Sequence, residues 1–118
     1  MLEGGAIMGR TQRQKGVRGE LLWRDECRKQ GFDAERGGQL YQRGSEIADV
    51  VGLPKIHQEV KFVEKLNLRA AMEQSERDAR ENELPILAHK VSRKEWLVTM
   101  RAADWFRLYR TWEFFGDA

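Results

Sequence analysis

A chain of 118 residues, 41% apolar and 34% charged, is long enough for one compact domain and too short for two ordinary ones. Its 21 Lys and Arg stand against 19 acids, a formal charge of +2, so the sum alone does not mark a nucleic-acid binder and the distribution of charge must decide. The single Cys27 excludes an internal disulfide, Cys27 with His57 and His89 makes no zinc-ligand spacing, and no apolar run nears the ~18 residues of a membrane span. The N-terminus lacks the apolar centre of a signal peptide, so a reduced, cytoplasmic setting is expected.

In chain order, residues 1–15 are glycine-rich with little apolar content and end in the basic stretch Arg10, Arg13, Lys15, which predicts a flexible arm. A single folded domain is expected over 16–118. Val17, Leu21, Leu22 and Trp23 share one helical face and Gly31 is placed as a C′ glycine, which predicts a helix over 16–30. A short strand over Phe32 to Arg36 is expected, then a polar loop punctuated by Gly37, Gly38 and Gly44. Ile47 to Val51 and Ile56 to Val63 read as a hairpin-like pair of strands separated by Gly52 and Pro54. Leu68, Ala71, Met72, Ser75 and Ala79 mark a helix within 66–83, ending before Pro85. Two short strands, Ile86 to Val91 and Trp96 to Met100, precede a last amphipathic helix carrying Trp105, Leu108, Tyr109 and Trp112. The order predicts an α/β domain with a mixed central sheet flanked by helices.

The chemistry concentrates where charge interrupts apolar strands. In His57-Gln-Glu-Val-Lys-Phe62, alternation puts Glu59 and Lys61 on one face and Val60 and Phe62 on the other. If the neighbouring strand is antiparallel, Asp49 joins Glu59 and Lys61, placing two carboxylates and an ammonium together. Close carboxylates raise each other's pKa, and a divalent hard cation settles them. A Mg²⁺ held by Asp49, Glu59 and the Val60 carbonyl would activate a water against a phosphodiester, with Lys61 orienting or helping to deprotonate that water or offsetting charge on the phosphate, and Glu20 of the first helix adding a ligand to this ion or to a second one.

The ordered set Gly16-x-x-x-Glu20, Gly31-Phe32-x-x-x-Arg36, Gly44-Ser45, Asp49 and Glu59-Val60-Lys61 resembles the PD-(D/E)XK nuclease superfamily, and within it the archaeal-type Holliday-junction resolvases and related small phage nucleases. The resemblance runs from about Gly16 to Gln74 and weakly beyond. It implies a restriction-endonuclease-like fold with an α-β-β-β-α-β core, in a bacterial, archaeal or phage-encoded protein. It also implies an active-site trio of Asp49, Glu59 and Lys61, with Glu20 as the added acid, Ser45 in the loop before Asp49 and Gln74 on the following helix. The cofactor implied is Mg²⁺, with Mn²⁺ substituting, and the expected substrate is branched DNA. Alternatives are a phage or mobile-element nuclease for nicked, flap or linear DNA, and a non-catalytic nucleic-acid-binding module of the same fold. Ala48 stands where a proline commonly precedes the aspartate, and the resolvase basic loop is poorly matched.

Around this set, Arg10, Arg13, Lys15 and Arg18 form a candidate phosphate-binding arm, and Arg36 and Arg43 flank the loop leading to Asp49, with Tyr41 free to stack on a base or to pack. His57 shares the facing of Glu59 and reads first as a hydrogen-bonded strand-end histidine; Cys27 reads as a small buried apolar residue. Seven of the eleven residues from Trp105 to Phe115 are apolar or aromatic. Part of that surface is expected to close the core and the rest to form a homodimer interface.

Overall fold

The computed structural model describes residues 2–37 and 48–116, with side chains from residue 12 onward. Three helices, α1 (Leu2–Lys29), α2 (Leu68–Asp78) and α3 (Ala102–Phe115), accompany five strands, β1 (Glu35–Arg36), β2 (Val50–Val51), β3 (Ile56–Phe62), β4 (Leu84–Lys90) and β5 (Leu97–Met100). The strands form one mixed sheet in the order β1-β2-β3-β4-β5. Neighbours are antiparallel except β3 and β4, which run parallel on either side of α2. The expected α/β class and the antiparallel pairing of β2 with β3 are both present.

The first departure lies at the N-terminus. The helix expected over 16–30 begins at Leu2, so the basic segment assigned to a flexible arm is a helical extension of the domain. Arg10-Thr-Gln-Arg-Gln-Lys15 consists mostly of good helix formers and lets the helix propagate backwards from its packed half, a gain that outweighs the upstream glycines. The other end stops as the sequence indicates. Gly31 takes φ +95°, and Phe32 N–H donates to the Cys27 carbonyl at 3.1 Å.

β3 divides the core. Val60 packs toward α1 with Trp23, Cys27, Ala34, Val50 and Ala88, while Leu87 on the opposite face meets Ala71 and Met72 of α2. The α1 contact is close. A Cβ on Gly19 would sit 2.6 Å from Phe62 Cβ, so the glycine is required for the helix to cross the strand. Trp23 Nε1–H donates to Gln58 Oε1 at 2.8 Å across the same interface, and Ser75 Oγ–H on α2 donates to the Ile86 carbonyl at 2.8 Å. The two helices are thus fixed to opposite faces of the sheet, both beside β3.

Two boundaries differ from the sequence reading. α2 is shorter than the expected 66–83, because Ala79 turns extended and Glu83 N–H donates to the Arg80 carbonyl in a closing turn. β4 begins at Leu84 and includes Pro85. Leu84 N–H donates to Lys55 at 2.7 Å, so alternate donors of β4 face β3 and the donor that Pro85 lacks faces the other way. β5 pairs only from Ile86 onward, and no ladder bond is lost there.

The last helix overturns an expectation. Trp105, Phe106, Leu108, Tyr109, Trp112, Phe114 and Phe115 are all exposed, and only Asp104 of α3 is buried, accepting from Arg101 Nε at 2.7 Å. No aromatic side chain of α3 closes the core. The amphipathic period was real, but its apolar stripe faces away from the chain's own sheet, where Leu97 and Val98 of the edge strand β5 are exposed as well.

Candidate active site

The site forms where β2 parts from β3. Asp49 N–H donates to the Gln58 carbonyl at 3.0 Å. Two residues further along β3, Val60 N–H donates to Asp49 Oδ2 at 2.9 Å, so a side-chain carboxylate takes the place of a strand carbonyl. Asp49 is thereby pinned to the edge of β3, within reach of both sheet faces. Glu59 arrives from the α2 side by strand alternation, and Glu20 from the α1 side one residue after the close crossing at Gly19.

These residues open onto one cleft of about 370 Å³, lined by Glu20, Asp49, Glu59, Val60, Lys61 and Gln74. Six residues expected from sequence to share a site therefore do so, although they come from α1, the start of β2, β3 and α2. Their electrostatics are strained. Burial pushes the Asp49 carboxyl up to about 8; repulsion from Glu59 and Glu20 and a side-chain hydrogen bond with Glu59 add to the rise, and the Val60 N–H opposes it. Without a cation, Asp49 holds a proton at neutral pH.

Partners hold the other two carboxylates. Arg36 Nε donates to Glu20 Oε1 at 2.8 Å, both side chains about four-fifths buried. Arg36 was expected to reach phosphate from the loop; it instead fixes Glu20, because β1 lies beside the middle of α1. Glu59 is 2% exposed and bonds through Oε1 to His57 Nε2 at 2.8 Å, which bears out the reading of His57 as a hydrogen-bonded histidine. Lys61 makes no ion pair among the described residues, leaving its ammonium available in the cleft.

The helical extension adds Gln12, which the sequence reading missed, and brings Lys15, read there as part of a phosphate-binding arm, and Gly16, read there as part of a motif, to the same wall. Gln12, Lys15 and Gly16 line the cleft beside Glu20. Gln12, Gly16 and Glu20 are spaced four apart, a helical period hidden by treating 1–15 as an unstructured arm. A Cβ on Gly16 would meet nothing within 4 Å, so no close contact requires glycine at this position of the cleft wall. Lys15 and Arg18 lie over the Phe62 ring, with Nζ and Cζ at 5.2 and 5.9 Å from its centroid. They form a cationic ridge beside the acidic cleft, while Arg13 is exposed on the same helix. The side chain of Arg10, and Tyr41, Arg43 and Ser45 entirely, lie outside the described residues. Burial pushes the Cys27 thiol up to about 11, in keeping with an inert core residue.

All three carboxylates line one open cleft, and burial with their mutual repulsion keeps a proton on Asp49, a setting that a hard divalent cation would relieve; among the described residues the ligand atoms that lie within 4.8 Å of one another are those of His57, Glu59 and Asp78, so Glu59 is common to both groups. No protein-family model, curated protein or solved structure matches the chain.

The raised Asp49 pKa has a consequence for stability. The native state holds this proton up to about pH 8, whereas the unfolded chain releases it near the ordinary value of 3.8, so Asp49 opposes folding increasingly as pH rises between them. In chelator, urea midpoints should fall from about pH 4 to about pH 8 with a slope that Asp49→Asn flattens. An Asp49→Asn protein with the wild-type pH profile would remove Asp49 as the cause.

Proposed function

We propose that this chain is a metal-dependent endodeoxyribonuclease of the restriction-endonuclease-like fold, hydrolysing phosphodiester bonds in branched DNA as a Holliday-junction resolvase does. The observation that carries this reading is that Glu20, Asp49, Glu59 and Lys61 line one cleft, where burial first, and then repulsion from Glu59 and Glu20, keeps a proton on Asp49. The element order, α1-β1-β2-β3-α2-β4, supports it by matching the core that the sequence resemblance implies.

Glu20, Asp49, Glu59 and the Val60 carbonyl would hold Mg²⁺, or Mn²⁺ in its place, and the bound ion would lower the pKa of a water and offset charge on the scissile phosphate. The protein's own residues do the rest. Lys61 directs its ammonium at the attacking water or at charge developing on the phosphate oxygens. Gln74 presents an amide that can hold the same water or a phosphate oxygen in line. Arg36 keeps Glu20 turned into the cleft. Lys15, Arg18 and Arg13, with Arg10 on the same helix, track the DNA backbone away from the cut, each phosphate contact steepening the salt dependence of binding.

The exposed aromatic face of α3 supports a homodimer. Trp105, Leu108, Tyr109 and Trp112 form an exposed stripe at i, i+3, i+4 and i+7, and Leu97 and Val98 of the edge strand that precedes the helix are exposed too. A two-fold axis along such a stripe pairs it with itself and covers the apolar surface of both copies. Two copies would then carry two clefts to two strands of one junction.

Purified protein with Mg²⁺ and labelled junction, flap, nicked, linear and single-stranded DNA tests the activity. Junction cleavage is expected to exceed cleavage of the others, and Asp49→Asn and Lys61→Ala should each lower it at least about 100-fold while leaving junction binding in chelator intact. Faster cutting of flap or linear DNA would replace the substrate class, and binding with no cleavage of any substrate would make the chain a binding module. Sedimentation at micromolar concentration should give a dimer that Trp112→Glu converts to monomer; a monomeric wild type would remove the α3 interface.

A further inference from the structure

His57 and Glu59 are a second constellation beneath the cleft. They point to the same face of β3 and are 1% and 2% exposed, and the imidazole Nε2 lies 2.8 Å from Glu59 Oε1. Behind the ring, Nδ1 is 3.8 Å from Glu83 Oε1, at the turn entering β4, and Asp78 at the end of α2 brings a carboxylate oxygen within 4.8 Å of the His57 and Glu59 ligand atoms. An acid and an imidazole at two successive inward positions of a central strand are costly to bury, since an apolar pair would pack there without desolvation. Their placement calls for a use.

We infer that His57 is a positioning residue for Glu59: it occupies one carboxylate oxygen from below, so that Glu59 offers only its other oxygen to the cleft. The inference rests on the reading of Glu59 as a cation ligand given above. A carboxylate with both oxygens free can rotate and chelate an ion through both. With Oε1 held by the imidazole, rotation is blocked and coordination is single-oxygen, which leaves a position at the ion for water or for a phosphate oxygen. The imidazole is fixed in turn. Its strand is anchored beside β4 over the whole register from Ile56 and Leu84 to Phe62 and Lys90, Glu83 lies against Nδ1, and Asp78 stands near both members of the pair. Groups behind a ligand commonly set its orientation and the affinity of the site in this way.

Two amide substitutions separate positioning from packing. The Gln amide nitrogen reaches close to the place of Nε2 and can donate to Glu59; the Asn amide is shorter and cannot. Mn²⁺ affinity without DNA, read by electron paramagnetic resonance, is expected to fall about 10- to 100-fold in His57→Asn and to stay within about threefold of wild type in His57→Gln. The Mg²⁺ concentration for half-maximal cleavage should rise by the same factor in His57→Asn, with the rate at saturating Mg²⁺ largely recovered. Wild-type affinity in His57→Asn, or a loss in His57→Gln as large as in His57→Asn, would overturn the inference while leaving the metal site standing. Absence of Mn²⁺ binding by the wild type would overturn the metal reading of Glu59 and this inference with it.

Discussion

The hydrogen bond from Val60 N–H to Asp49 Oδ2 is the contact on which the site depends. It lets a side-chain carboxylate accept from a strand N–H that faces β2. Among the described residues β2 contributes Val50 and Val51 to the sheet, and at Val60 the acceptor is the Asp49 side chain. Had the backbone continued the pairing, the edge of β3 at Val60 would be sealed and Glu20 and Glu59, on opposite faces, would be separated by sheet. Opening the ladder at this point lets acids from both faces meet around one strand edge. The N–H also supplies the stabilisation of the Asp49 anion that partly offsets burial and the two neighbouring acids.

Rigid neighbours make that meeting reproducible. Gly19 lets α1 lie on Phe62, which fixes the level at which Glu20, the next residue, meets the cleft, and Arg36 holds the Glu20 carboxylate there. Trp23 on Gln58 and Ser75 on Ile86 tie one helix to each face of the sheet. Glu59 has its imidazole beneath it. Each acid is thus oriented by a different element, and no two of them are placed by the same loop. Free energy stored as repulsion among them is available to whatever cation relieves it.

Much of this was legible in the sequence because charge inside an apolar strand has few bland explanations. Glu59 and Lys61 could be placed on one face from alternation alone, and an antiparallel partner was enough to bring Asp49 beside them. What was illegible has particular causes. Arg36 is basic and near a loop, which reads as phosphate contact, and only the pairing of β1 with β2 puts it against Glu20. Gln12, and the place of Lys15 on the cleft wall, were hidden because upstream glycines masked a helix whose stability comes from its packed half. Pro85 suggested a boundary, yet its missing donor falls on the side of β4 where pairing has not begun. The period of α3 was read correctly and its facing was not, since periodicity gives the width of an apolar stripe and says nothing of whether the partner belongs to the same chain.

The central claim is that crowded carboxylates in this cleft exchange a shared proton for a divalent cation. Calorimetric titration of the protein with Mn²⁺ at pH 7, in buffers of different ionisation enthalpy, counts the protons released on binding. With Asp49 pushed up to about 8, close to one proton should leave per ion bound at the cleft, and Asp49→Asn should weaken binding and abolish the release. Binding without proton release, or no binding at all, would contradict the account.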